Sequence, residues 1–431
     1  MAAMAAAKNL AVTIIERAEL GGTCLNRGCI PTKALCRNAE VLTGVRHASQ
    51  WGISIDNANF DLDAAMTRKD NVVTQLREGV GILLNQPLIE VVQGEAVLKD
   101  AHTVSVAGKD YQARNIVIAT GSAPRNLPIE GADLCISSDQ ALQLREVPKR
   151  LCIIGGGVIG MEFAGIYSAF GAEVTVVEFC KEILPPFDKD IAKRLRTTLT
   201  RQGMKINVAA AAQSITRNDD GSFTVAYESK GKTQTVDADV VLMAVGRKPV
   251  LPQGLETVGV AVGKQGIVTD DHMRTNVPGI YAIGDVNGRC MLAHAATAHG
   301  AIALSDMLGE TDSHIRLDVM PSAVFTTPEL AMVGLTEEQA KEQALDISVK
   351  KAFFRSNGKA VAMDEPEGLI KLIVENGSRR IIGCHICGAH AADIIHEVVV
   401  AMNADASVDT LARSIHAHPT LSEVLHSATL A

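Results

Sequence analysis

Apolar positions in this chain come in short solid runs, several of them ending at glycine, separated by stretches of helical period. The clearest unit lies between Arg150 and Phe179. An apolar run at 151–154 is followed by Gly155, Gly156, Gly157 and Gly160, then a periodic stretch to Phe170, then a β-branched run closed by Glu178. That order predicts strand, tight turn, helix and strand, and a plain glycine-rich turn would not explain the acid at its end. Segments 115–124, 239–249 and 279–285 are also short buried-strand runs ending in glycine, as expected where the central strands of a parallel sheet empty into a ligand crevice. Another strand, 10–15, ends at Glu16. From Pro321 the texture changes to shorter alternating runs such as 369–375, followed by helical stretches such as 391–402, and Thr336 and Gln339 have the spacing of a capping box. Boundaries are expected near 147, 270 and 316, giving segments 1–146, 147–270, 271–316 as a return to the first, and 317–431.

A length of 431 residues suits two or three domains at roughly 150 residues each. Apolar residues at 47% and charged residues at 21% exclude a disordered or fibrous chain. The net charge of −8, without a long basic run, argues against a nucleic-acid partner. The most apolar stretch, 151–172, carries Glu162 and the glycine cluster, so no membrane span is expected. The first residues lack the pattern of a secretory or transit leader, which makes a cytoplasmic location the expectation. Nine cysteines without dense, even spacing point to reduced thiols with one special pair.

Cys24 and Cys29 stand five apart in GGTCLNRGCIPTK, with Pro31 suited to the first turn of a helix. A helix starting there aims backbone N–H groups at Cys29 and favours a thiolate, as a reversible disulfide requires. A zinc half-site or two inert core thiols are the alternatives. Zinc would need a second ligand pair, and Cys384 and Cys387 lie in an apolar run where a spacing of three sends them to opposite faces. No metal site is expected.

In HAHPTLSE, Pro419 biases His418 to an extended backbone, and Glu423 lies about one helical turn into the next segment, placed to orient the imidazole. The pair reads as a base with its orienter, against the plainer reading of a solvated C-terminal histidine. His416 and His418 could share a metal, but no acidic or cysteine third ligand lies near. Glu178 can accept from a ribose 2′-hydroxyl and would repel a 2′-phosphate, which favours NAD over NADP; Lys181 softens this without supplying an arginine fork.

The cysteine loop, the glycine motif at 155–160, IATGSAP, AVGRKP, IYAIGDVNGRCMLAHAA, MPSAVFTTPELAMVGLTEEQA and HAHPTLSE together closely resemble the pyridine nucleotide–disulfide oxidoreductases, from Ala2 to the C-terminus. The similarity is strongest to the members that oxidise dihydrolipoamide. Arg27 stands where the family commonly has valine. The resemblance implies an α/β fold with two Rossmann-like nucleotide-binding domains, one for FAD and one for NAD, and a C-terminal α+β dimerisation domain. It implies that Cys24 attacks the substrate, that Cys29 lies next to the flavin, and that Lys33 lies beside the flavin ring, with Glu162 pairing to it. Glu16 would bind the adenosine ribose of FAD, the Ala96 backbone its adenine side, Asp285 with Ala293 the ribitol and flavin end, and Gly121 the same cofactor. Gly155, Gly157, Gly160, Glu178 and Gly246 would hold NAD. His418 would act beside the disulfide of the other subunit of a homodimer, and the partner would be a lipoyl domain of a 2-oxo acid or acoin dehydrogenase complex or of the glycine cleavage system.

A βαβ nucleotide unit takes about 30 residues, yet only nine precede Leu10, so the first strand and its glycine turn are expected to be absent from the first domain and the flavin site incomplete. Two other readings stay open: a catalytically silent homologue retaining NAD binding and dimerisation, and another disulfide reductase of the same family.

Overall fold

A computed structural model describes residues 1–310 and 315–431. They fall into two compact units, one of Met1–Ala34, Met66–Arg125 and Gly246–Leu317, the other of Leu35–Ala65, Asn126–Val245 and Asp318–Ala431.

In the first unit the strand Val12–Glu16 pairs in parallel with Ile89–Gln93, and Ile280–Ala282 pairs in parallel with Ile116–Ile118. These are two separate pairs; among the described residues no strand joins them into one sheet. The helix Ala2–Ala7 leads into the first pair. Ile116, Ile118, Ile280 and Ala282 are buried with Leu98, Ile267 and Val286, so the expected apolar runs form the core of this unit. The two glycine-ended runs continue into an antiparallel pair, Ser122–Pro124 with Arg247–Pro249, and Ala96–Leu98, Thr103–Val106 and Lys109–Gln112 form a small antiparallel sheet.

The second unit holds a parallel sheet in the order Lys205–Asn207, Glu173–Val177, Arg150–Ile154, Val240–Met243, and an antiparallel sheet of Ala210–Arg217, Phe223–Ser229 and Lys232–Ala238. The helix Val158–Phe170 follows the glycine turn as the patterning predicts. The C-terminal part is a five-stranded antiparallel sheet ordered Ser322–Val324, Leu330–Gly334, Ile381–Cys387, Leu369–Glu375, Ile347–Phe353, with the helix Ala391–Asn403 packed on it. Thr336 caps the helix Glu337–Glu342, accepting from the Gln339 N–H at 3.1 Å while the Gln339 side chain accepts from the Thr336 N–H at 2.9 Å.

The strand Leu369–Glu375 differs from its alternating pattern, being buried on both faces. Ile370, Leu372 and Val374 join the C-terminal core. Lys371, on the opposite face, is 2% exposed and meets Asp188 at 2.8 Å, Glu337 at 2.6 Å and Asp190 at 3.1 Å. Asp188 also caps the helix Lys189–Arg201 by accepting from the Asp190 N–H. Burial disfavours the Lys371 ammonium, but the Asp188 and Glu337 carboxylates outweigh it and hold its pKa above the ordinary lysine value.

Candidate functional site

In the first unit, Cys24 sits in the short helix Gly22–Arg27 and Cys29 is the first residue of the helix Cys29–Arg46. The Asn26 amide holds this loop, donating to the carbonyls of Leu20 at 2.9 Å and Gly22 at 3.0 Å, and accepting from Arg77 Nε at 2.9 Å. Cys24 and Cys29 are in side-chain contact. A hydrogen bond with the Cys29 sulfur, then burial, push the Cys24 thiol up, while the Cys29 N–H and the Lys33 charge work in the opposite direction. The helix N-terminus thus reaches Cys24 as well as Cys29. Arg27 forms an exposed ion pair with Glu19 at 2.5 Å, clear of the chemistry.

Glu16 ends its strand as expected; its carboxylate accepts from the Ala18 N–H at 2.8 Å and its carbonyl from the Gly94 N–H at 2.9 Å, which brings the start of the strand at Ala96 beside it. Asp285 lies in the 3-10 turn Gly284–Asn287 that follows Ile280–Ala282, and Ala293 opens the helix Ala293–Met307. Gly284 packs on that helix's first turn: a Cβ there would lie 3.0 Å from the Ala296 Cβ. Gly121 accepts from the Val250 N–H, and Gly246 from the Arg125 N–H.

In the second unit, Gly155 has φ +108°, and a Cβ there would meet the Ala244 carbonyl oxygen at 2.4 Å. At Gly160 a Cβ would meet the Gly155 carbonyl oxygen at 2.0 Å, so glycine at both positions is what lets strand, turn and helix close together. Gly157 precedes the helix without a side chain to cap it and is open on its outer side. Glu178, 6% exposed, accepts from the Gly156 N–H at 2.5 Å and the Cys180 N–H at 2.6 Å, which fixes both carboxylate oxygens at the strand end. The patterning missed the part of Gly156, whose Cβ would crowd Glu178 Oε2 at 3.1 Å. Glu162, 4% exposed, accepts from the Phe325 N–H at 3.0 Å; Lys33 belongs to the first unit.

Glu423 is the first residue of the helix Glu423–Leu430, and its carboxylate bonds His418 Nδ1 at 2.9 Å. His416 points elsewhere, to Glu397 at 2.9 Å and the Ser414 carbonyl at 3.0 Å. Glu397, 19 residues away, gave no sign in the sequence.

The residues around Gly155, Gly157, Gly160 and Glu178 fit a dinucleotide: an uncapped helix N-terminus for the pyrophosphate and a fixed acceptor for the ribose. For FAD the two ends fit. Glu16 terminates a parallel strand, and Asp285 follows Gly284, which packs on a 15-residue helix whose first N–H groups no side chain caps. Between these ends the described residues contain no glycine turn leading into Val12–Glu16.

Three comparisons bear on these features. The pyridine nucleotide-disulphide oxidoreductase family matches residues 1–300, and the dimerisation domain of the same family matches residues 320–429. A dihydrolipoyl dehydrogenase of Bacillus subtilis (strain 168) is 41% identical over 97% of this chain and 90% of its own length, and one of Geobacillus stearothermophilus is 40% identical over the same shares. Among solved structures, the HOCl-induced flavoprotein disulfide reductase RclA from Escherichia coli superposes with a TM-score of 0.88 at 31% identity, covering 100% of this chain and 96% of that one.

Proposed function

The chain belongs to the pyridine nucleotide-disulphide oxidoreductases, and from that premise we propose that it is a dihydrolipoyl dehydrogenase, a homodimeric enzyme that uses FAD and NAD. The observation that carries the reading is the contact of Cys24 with Cys29 at the start of a helix, with Lys33 one turn further on.

In the oxidised enzyme Cys24 and Cys29 share a disulfide. A thiolate of dihydrolipoamide attacks the Cys24 sulfur, forming a mixed disulfide and releasing Cys29 as a thiolate, which the helix N-terminus favours. The second substrate sulfur then displaces Cys24, so lipoamide leaves with its disulfide closed and the protein keeps both thiols and the electron pair. Each substrate thiol must lose a proton first. The partner subunit's His418 takes it at Nε2, because Glu423 holds Nδ1–H. Bound FAD supplies the chemistry that passes the electron pair on to NAD. Glu16, Lys33, Ala96, Gly121, Asp285 and Ala293 hold FAD in this proposal, and Gly155, Gly157, Gly160, Glu162, Glu178 and Gly246 serve the NAD side and its approach to the flavin. The domain division at 147, 270 and 317, a lipoyl domain as the substrate carrier, and a cytoplasmic location belong to the same proposal. Among the described residues no helix is long and apolar enough to cross a membrane.

The test is NADH formation from dihydrolipoamide and NAD by the flavin-loaded chain and, in the opposite direction, NADH oxidation by glutathione disulfide and other disulfides. Turnover with dihydrolipoamide alone supports the reading. Turnover of another disulfide without it would favour a reductase like the E. coli protein.

A further inference from the structure

Arg247 follows Gly246 in the run AVGRKP and has no role in the chemistry described so far. Its guanidinium forks onto one residue: Nε donates to Ser122 Oγ at 2.7 Å, and Nη2 donates to the Ser122 carbonyl at 2.7 Å. The Ser122 hydroxyl, 8% exposed, has a single proton and gives it to Asp285 Oδ2 at 2.5 Å. All three residues lie in the first unit, and the antiparallel pair Ser122–Pro124 with Arg247–Pro249 fixes their register.

We propose that Arg247 is a positioning residue for flavin binding, acting through Ser122 to hold the Asp285 carboxylate in one orientation. Arg247 Nε donates to Ser122 Oγ while Nη2 covers the Ser122 carbonyl, so the hydroxyl proton is turned away from the guanidinium, and Asp285 Oδ2 is the acceptor it meets. Asp285 Oδ2 is then committed to Ser122. Oδ1 has no donor among the described residues and is left for a hydroxyl of the cofactor. A lysine could not replace this fork, since a single ammonium cannot reach both acceptors with planar geometry. The arrangement also ties together three segments that the sequence shows only as separate glycine-bearing runs. It rests on the reading that Asp285 holds the flavin end of FAD.

The test is the dissociation constant for FAD, read from quenching of flavin fluorescence on titration into the full-length apoprotein. It is measured for the parent, Arg247→Gln, Ser122→Ala, Asp285→Ala and the double variants. Arg247→Gln should weaken FAD about tenfold in the parent background, and should cause no further loss in the Ser122→Ala or Asp285→Ala background. An equal loss in every background means that Arg247 meets the cofactor directly or acts on the fold at large, and overturns the proposal. No loss in Arg247→Gln overturns it too. If Asp285→Ala binds FAD as the parent does, the reading of Asp285 fails first and the positioning role falls with it, which separates the two failures.

Discussion

Glu423 holds His418 from the first residue of its helix: Oε1 meets His418 Nδ1 at 2.9 Å while Oε2 accepts the Thr420 N–H at 2.8 Å. The second bond stops the carboxylate from rotating, so the imidazole inherits a fixed plane. With Nδ1–H committed, Nε2 is the nitrogen left to take a proton, on a side chain 78% exposed. His418→Gln should lower turnover with dihydrolipoamide on the order of 100-fold or more, the usual worth of a positioned base. Reduction of a dye by NADH, which needs no thiol base, should be spared. Stopped-flow measurement of each half-reaction separates the two, and equal slowing of both would remove His418 from the role of base.

The Thr420 N–H, and after it His418, hold the Glu423 carboxyl below its ordinary pKa. A lowered carboxylate stays charged as pH falls through the usual carboxylate range, so the orienting contact is present above that range and lost only below it. The acid limb of the thiol half-reaction should therefore not report Glu423. In Glu423→Gln, which keeps the shape and loses the charge, turnover should fall at every pH. A new break in the parent profile within the ordinary glutamate range would contradict this.

Glu178→Ala should relax the preference for NAD over NADP by about 1–3 kcal/mol, the worth of a charge-assisted hydrogen bond together with relief of repulsion toward a 2′-phosphate. The ratio of dissociation constants for the two nucleotides is the proper readout. Loss of the bonds from the Gly156 and Cys180 N–H groups weakens both nucleotides alike and cancels in the ratio. An unchanged ratio would count against Glu178 as the ribose acceptor.

The buried group around Lys371 predicts a stability effect. Lys371→Ala leaves Asp188, which is fully buried, without its cation, and should cost about 3–5 kcal/mol in denaturant unfolding. Asp190 is held low by Lys351 and then Lys371, and Glu337 by Lys341 and then Lys371. Their contribution is complete above the unfolded carboxylate pKa and disappears as pH falls through the lowered values. Lys371→Met should accordingly lose less stability on acidification than the parent does. If the two acid profiles are parallel, the network does not govern acid stability.

Much of the fold was legible because glycine punctuates it. The strand, turn, helix and strand at 150–177 follow from a run, four glycines, a period and a second run, and they fall within a residue or so of expectation. His418 and Glu423 were legible as a pair because they stand five positions apart with a proline directly after the histidine. Lys371 was not. A lysine in an alternating strand reads as solvent-facing, and the three carboxylates that allow its burial lie on other elements. Asn26 with Arg77, Arg247 with Ser122, and Ser122 with Asp285 are polar contacts across 51 to 163 residues, which no local pattern encodes.

The central claim is that electrons leave dihydrolipoamide through Cys24 and Cys29. The most direct measurement is NADH formation from dihydrolipoamide by flavin-loaded parent, Cys24→Ser and Cys29→Ser proteins, with NADH-to-dye transfer followed in the same preparations. The account predicts that each serine variant loses dihydrolipoamide oxidation and keeps dye reduction, because both sulfurs are needed for the exchange and neither for the bypass. A Cys24→Ser protein that oxidises dihydrolipoamide at the parent rate would contradict it.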